Sequence, residues 1–412
     1  MGVLAVATAL ATGCVVHRGP NWQRRAEPAV PNDRPTSGPA FSLVVIGNPG
    51  APGRHAQQVA TGLRSVLAAE RAAGHAATVL WLGDLVMAEH PDRRDACPDP
   101  TGAWAREGSH ALADTVREHV AAGGQSFAVL GPGDRRCGLD QVLHQTTTTG
   151  PNPWLMPDDH YVLRVGADGR TQVVSTCADG GCTVSPADAD AVLDLVVVDA
   201  TVWTGPPAAG DALVRSQASA RRLDELVTAA VRSDGPPRVL VGAVPIEAAG
   251  VHGHGGLRSE ATFHNLPPRL AEAIVQGRFI GSIGAYDRAL YATADITDAI
   301  KRSDKTWVAA PLFQLVSGAA SWPDARAAAG RRRLEYFRGN AYRPPIYSDH
   351  GGFAVVRGQA DALHLELWAR RRGHWETQPL AVPLHPARHP AETASPPMAP
   401  CLRCPETPAD HR

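Results

Sequence analysis

Lysine is almost missing from this chain. Only Lys301 and Lys305 occur among 412 residues, so nearly all of the 40 basic side chains are arginine. With alanine so abundant, this reflects genome composition rather than mechanism. Neither sign of charge is in excess: 40 basic against 41 acidic residues leave a formal net charge of -1. That balance gives no support to a general nucleic-acid binder, whose affinity rests on a basic surface. The uncharged stretch Gly2–Gly13 is too short to span a bilayer as a helix. Familiar catalytic fingerprints are missing as well. There is no GxSxG nucleophile elbow. Gly47-Asn48-Pro49-Gly50 has neither the GxGxxG pattern nor the Lys-Ser/Thr ending of a phosphate loop. Core material is plentiful. With 44% hydrophobic and 20% charged residues, wholesale disorder is excluded. The length accommodates one large domain or two smaller ones.

The first residues read as the apolar part of an export signal without its usual basic leader. Leu10–Cys14, LATGC, resembles a bacterial lipobox with Ala11 where leucine is usual. On that reading residues 1–13 are a leader, Cys14 is lipidated, and the protein is a membrane-anchored lipoprotein of the bacterial cell envelope. The alternative is a buried apolar N-terminal segment. Six cysteines remain besides Cys14. An even number in an exported protein suggests disulfides; Cys177–Cys182 and Cys401–Cys404 are candidate local pairs, which would leave Cys97–Cys137, among the 15 arrangements that six cysteines allow. A four-cysteine zinc site competes weakly, because the chain has a single CxxC and it lies in a Pro-rich tail.

Residues 14–40 read as a flexible tether, 41–380 as one domain and 381–412 as a Pro-rich tail without regular structure. Within the domain, Phe41–Ile46, Thr78–Leu82 and Ser126–Leu130 are β-like runs, each ending in a glycine turn. Helical patterns cover 55–73 and about 108–122, and the order predicts βαβ units with a mostly parallel sheet. Ala191–Asp199, a helix around 217–232, Arg238–Gly242 and Phe279–Ile283 continue the order. Gly352–Arg357, Asp361–Trp368 and Trp375–Ala381 then read as consecutive antiparallel strands. Open sheets of this kind bind ligands outside the strand C-termini, where the glycine turns gather.

Those turns carry a resemblance. Gly47-Asn48-Pro49-Gly50, Gly83-Asp84, Gly131-Pro132-Gly133-Asp134, Gly242-Ala243-Val244-Pro245 and Gly284-Ala285-Tyr286-Asp287 follow the order of the metal-ligand turns of the calcineurin-like metallophosphoesterases. Ser317-Gly318-Ala319 and Gly352-Phe353-Ala354 resemble later segments of the tartrate-resistant purple acid phosphatase branch. The resemblance covers roughly 41–380 and implies an α+β fold, an αββα sandwich with central β-sheets flanked by helices. It also implies a lost centre. Asn48 stands where the first ligand Asp is expected, and Asp84 keeps the bridging carboxylate. Pro132 and Gly133 replace the Asn and His of GNH[DE]. Ala243 replaces a His, and Ala285 and Asp287 replace the two His of GHxH.

A two-metal hydrolase needs lone pairs aimed at both ions. Alanine, glycine and proline side chains offer none. No catalytic residue and no cofactor are therefore expected, and the role is binding or assembly with an unknown protein or surface ligand. The alternative is a metal-dependent phosphoesterase with an altered mononuclear site, holding one divalent cation on Asp84, Asp134 and Asp287. A third reading is an unrelated exported enzyme using His252 and His254 of the VHGHGG loop, with His264 or His350 completing a displaced site. The bland reading of that loop is a surface loop, and Arg331–Arg333 and Arg370–Arg372 read as solvated charge.

Overall fold

The computed structural model describes residues 23–25, 41–50, 54–85, 109–138, 143–147, 152–178, 181–201, 211–232, 235–246, 248, 266–287, 289–296, 311–320, 346–348, 350–359, 361–371 and 373–384. One sheet is built from β1 (Gln23–Arg25), β2 (Phe41–Gly47), β3 (Ala76–Leu82), β4 (Gln125–Val129), β15 (Gly352–Gln359), β16 (Ala362–Arg371) and β17 (His374–Pro383), in the order β1-β17-β16-β15-β2-β3-β4. The second contains β5 (Tyr161–Gly166), β6 (Thr171–Val173), β9 (Ala191–Val198), β10 (Arg238–Gly242), β11 (Gly281–Gly284), β12 (Leu290–Thr293), β13 (Phe313–Ser317) and β14 (Ile346–Ser348), in the order β14-β12-β13-β11-β10-β9-β5-β6. A separate hairpin pairs β7 (Ser175–Ala178) with β8 (Gly181–Val184).

The mostly parallel strands expected from the βαβ order are divided between two mixed sheets, as the expected αββα sandwich requires. β2, β3 and β4 run parallel in the first, and β9, β10, β11 and β13 run parallel in the second. The C-terminal hairpins close the first sheet, because β15 pairs antiparallel with β2. Side-chain alternation explains the stacking. Leu163, Leu193, Leu195, Val197, Val239 and Val241 join the main core with the first sheet. Their neighbours Val162, Val196, Val198 and Leu240 point the other way, into a second core.

Helices α1 (Arg54–Ala72) and α2 (Ser109–Ala121) cover the first sheet, and α3 (Pro132–Arg136) is one short turn after β4. Helices α4 (Asp211–Arg232) and α5 (Pro268–Val275) cover the second sheet with Leu223, Leu226, Val227, Leu270 and Ile274. Helix α1 follows its pattern closely: Val59, Leu63, Val66 and Leu67 are buried, and it stops at Gly74, whose φ of 71° only glycine adopts without strain. The layers are helix, sheet, sheet, helix.

Three boundaries differ from expectation. The segment read as a tether contributes β1, which pairs with β17. Strand β17 runs to Pro383, and Leu384 is buried, so the sheet enters the segment read as tail. Helix α4 starts six residues before the predicted 217, at Asp211.

One buried ionic group sits under the first sheet. Arg357 of β15 ion-pairs with Glu70 of α1 at 2.7 Å and with Glu366 of β16. Ser42 donates to Glu70 at 2.9 Å, and the Trp368 indole donates to Glu366 at 3.1 Å. Burial works against the Arg357 charge, but the two carboxylates outweigh it and raise its pKa.

Candidate functional site

The parallel strands of both sheets end at one edge of the sandwich, and the glycine turns meet there. A Cβ placed on Gly47 would lie 1.9 Å from the Ser317 carbonyl oxygen and 2.4 Å from the Ala285 Cβ. One placed on Gly83 would lie 2.4 Å from the Ala243 Cβ. One on Gly133 would lie 2.7 Å from Asp84 Oδ1. Backbone bonds cross the same seam, from Ala320 N–H to the Gly47 carbonyl at 3.2 Å and from Ala285 N–H to the Ala243 carbonyl at 3.1 Å. The turns carrying Asn48, Asp84, Pro132, Gly133, Ala243 and Ala285 are therefore brought together.

Strain marks the same place. Among the described residues, the non-glycine residues with positive φ are Asn48 (51°), Asp84 (49°) and Tyr286 (58°), and each lies in one of these turns. Left-handed backbone is costly for residues with a Cβ and concentrates at functional sites, where the surrounding structure enforces it.

The side chains at this edge are engaged with the protein itself. Asn48 donates through Nδ2 to the Gly318 carbonyl at 3.0 Å, tying β2 to the end of β13. Asp84 Oδ1 accepts the Gly133 N–H at 2.7 Å. Asp134 is fully buried, and its Oδ2 accepts the N–H groups of Gly131 at 2.9 Å and Leu85 at 3.1 Å. The first of these bonds caps α3. Asp287, also fully buried, accepts the Tyr291 hydroxyl at 3.0 Å. Ala243 packs with Ala200, Val244, Ala248 and Tyr286 in a small apolar cluster. A separate cavity of about 10 Å³ borders the second core, lined by Val198, Leu240, Ile246 and Leu266 among others, with room for no more than one water.

Asp84, Asp134 and Asp287 are not grouped as a cation cage: among the described residues, no three His, Cys, Asp or Glu side chains could hold one metal ion together. The donor set does not fit the two-metal centre that the resemblance implies. Alanine and glycine occupy donor positions, and the retained carboxylates take local hydrogen bonds.

Next to α3 lies a polar network that no sequence motif announced. Arg135 ion-pairs through Nε with Asp199 at 2.7 Å and through its terminal nitrogen with Asp159. His144 Nε2 lies 3.0 Å from the other Asp159 oxygen. His160 is buried at 1% exposure, and its Nδ1 accepts the Asp199 N–H at 3.1 Å. A backbone N–H can only donate, so the ring proton sits on Nε2. Nε2 then faces the Ser219 carbonyl at 3.0 Å and its Oγ at 2.9 Å. Ser219 Oγ donates to Asp159 at 3.0 Å.

Burial depresses the His160 pKa, against the opposing pull of Asp199, Asp159 and Asp158. Burial alone would raise that of Asp159, but His144 and Arg135 hold it well below the usual carboxylate range. The same burial disfavours the Arg135 charge, yet Asp199 and Asp159 raise its pKa. Serine, histidine and aspartate here are not a hydrolytic triad. The hydroxyl donates to the aspartate rather than to the histidine, and Ser219 and His160 are both buried. Arg135, His144, Asp159, Asp199 and Ser219 are scattered along the chain, and only the fold assembles them.

His252, His254, His264, Cys14, Cys97, Cys401, Cys404 and Arg331–Arg333 lie outside the described residues. Cys177 and Cys182 form a disulfide across the β7–β8 hairpin. Cys137 is also disulfide-bonded, with its partner outside the described residues. His350 stands just before β15, its N–H donating to Ser348 Oγ at 3.1 Å. Ser317 is buried and donates to the Val45 carbonyl at 2.7 Å. Arg371 is half exposed, 3.8 Å from Glu376.

No protein-family model matches the chain, and no curated protein matches it in sequence. Solved structures do match. One is GAP50, described as the anchor in the inner membrane complex of Plasmodium, at 13% identity and a TM-score of 0.51, covering 81% of this chain and 86% of that one. Another is PhoD, at 9% identity and a TM-score of 0.46, covering 83% and 69%. The fold is the α+β sandwich of the phosphoesterases. Among the described residues, no helix is long and apolar enough to cross a membrane.

Proposed function

We propose that this chain is an exported protein of the purple acid phosphatase-like branch that has exchanged its metal centre for packed side chains. The scaffold then serves binding or assembly, with a protein or surface ligand as partner, and needs no cofactor. One observation carries the reading. The strand-end positions where the resembled family keeps metal donors hold Ala243 and Ala285, both buried and packed so closely that a Cβ on Gly83 would lie 2.4 Å from the first and one on Gly47 2.4 Å from the second. Packed apolar contacts at such positions keep the sandwich stable without an ion.

Two further points support the wider reading. The Cys177–Cys182 disulfide suits an oxidising compartment, in line with export to a bacterial cell envelope and lipidation at Cys14. A fold relative described as an anchor makes assembly a natural role for a scaffold without a metal centre.

Hydrolysis of 4-nitrophenyl phosphate, measured with each of Mn2+, Fe2+, Zn2+ and Mg2+, tests the reading. Wild type and Asp84→Ala are expected to give the same background rate. Metal-dependent turnover that disappears in Asp84→Ala, with its unfolding midpoint unchanged, would instead establish a mononuclear phosphoesterase on the retained carboxylate.

A further inference from the structure

His160 stands at the centre of the polar network and is met from every side by charged or polar groups. Arg135 comes from α3 and His144 from the 143–147 segment. Asp158 and Asp159 precede β5, with Asp158 also paired to Arg222 of α4 at 3.2 Å. Asp199 closes β9, and Ser219 comes from α4. We infer that this network is an acid-sensitive latch, in which neutral His160 pins the Asp199–Thr201 turn beside the strand-end cluster and its protonation releases that turn.

Neutral His160 needs one acceptor and one donor, and it has both: Nε2 donates to Ser219, and Nδ1 accepts from the Asp199 N–H. A proton taken from solvent onto Nδ1 turns both nitrogens into donors. The Asp199 N–H cannot accept, so two donors then face each other across 3.1 Å. The new N–H must turn toward the Asp159 or Asp199 carboxylate, both already held by Arg135. The bond that positions the turn is lost in either case. Its next residue, Ala200, is fully buried against Ala243, Val244, Ala248 and Tyr286. Loosening the turn therefore loosens the packing at the strand ends. The latch holds whether or not the strand-end site binds a metal.

The sign follows from burial. His160 has a folded-state pKa below its ordinary 6.5. Its contribution to stability is present above that value and is lost as the pH falls below it. The depressed Asp159 acts in a lower window, below its ordinary 3.8. His119, hydrogen-bonded to the Ala77 carbonyl at 3.0 Å, is a second buried histidine with a lowered pKa. It reports acid loosening at a distance from the latch.

The experiment is amide hydrogen exchange on the full chain at about pH 7.5 and about pH 5, corrected for intrinsic exchange rates. Peptides spanning 196–201 are expected to lose about tenfold more protection than those of β3 around Ala77. In His160→Gln, which keeps a donor and an acceptor but does not titrate, that difference is expected to vanish. Equal loss at both places in wild type overturns the latch, and so does a difference that persists in the glutamine variant. If that variant does not fold, the wild-type comparison decides alone.

Discussion

Gly47→Ala is expected to destabilise the protein by about 3 kcal/mol, the upper end of overpacking costs. The added methyl would sit 1.9 Å from the Ser317 carbonyl oxygen and 2.4 Å from the Ala285 Cβ. Neither is the far end of a flexible side chain. One is backbone at the end of β13, and the other is a buried alanine one residue past β11. Relief requires the two sheets to move apart at this contact, and that disturbs the Ser317 bond to the Val45 carbonyl. Gly74→Ala is the control. Gly74 also has no Cβ, but nothing lies within 4 Å of where one would be, and its φ is 71°. It should lose only about 1 kcal/mol, the cost of left-handed backbone. Urea unfolding of both variants decides. A Gly47→Ala loss no larger than that of Gly74→Ala would mean that the sheets have slack at the strand ends, contrary to a tightly filled site.

Arg357→Met should cost still more, about 3–5 kcal/mol. The substitution keeps an unbranched apolar side chain, so packing is largely retained. What it removes is the arginine partner of two carboxylates, leaving Glu70 (0% exposed) with Ser42 and His75 and Glu366 (7% exposed) with the Trp368 indole. Water cannot replace the guanidinium there, and an unpaired buried charge is among the costliest defects in a core. The remedy separates charge from shape. Adding Glu70→Gln and Glu366→Gln to Arg357→Met should recover part of the loss, because neutral amides need no counter-charge. Guanidinium-induced unfolding measures all the variants. If the triple variant is less stable than Arg357→Met alone, the contribution of this group is geometric rather than electrostatic.

Most of the strands were legible because they are short apolar runs ended by glycine. Arg238–Gly242 matches β10 residue for residue, and the helix read at 55–73 is α1 displaced by one. The division into two sheets was hidden from periodicity. A buried parallel strand is apolar on both faces, so β3 and β9 look alike although they lie in different sheets. The hairpin β7–β8 was foreshadowed only by its cysteines, and the short β6, β12 and β14 by nothing distinctive. Strand-end turns were legible as glycine punctuation, and the fold gathers them at one edge. The Arg135 network was not legible, because its members have no fixed spacing and owe their partners to tertiary packing. Asp84 shows the limit of motif reading most clearly. A retained aspartate in a metal-ligand turn suggests a ligand, yet its oxygen here receives the Gly133 N–H, where the resembled family has a histidine.

A scaffold can outlive its chemistry because different atoms maintain the two. Apolar strands and helices hold the sandwich, and the donor atoms at the turns add little to that core. The positive-φ turns at Asn48, Asp84 and Tyr286 persist with them. On the proposed reading, Ala243, at a position where the resembled family keeps a histidine, packs instead with Ala200, Val244 and Ala248.

Metal content tests that account most directly. The purified full chain would be incubated with Mn2+, Fe2+, Zn2+, Mg2+ and Ca2+ in turn, freed of excess and analysed beside Asp84→Ala. The account predicts that neither protein retains a metal specifically and that the two are indistinguishable. Retention of about one or two equivalents by wild type, lost in a folded Asp84→Ala, would contradict it and return the chain to the metal-dependent hydrolases.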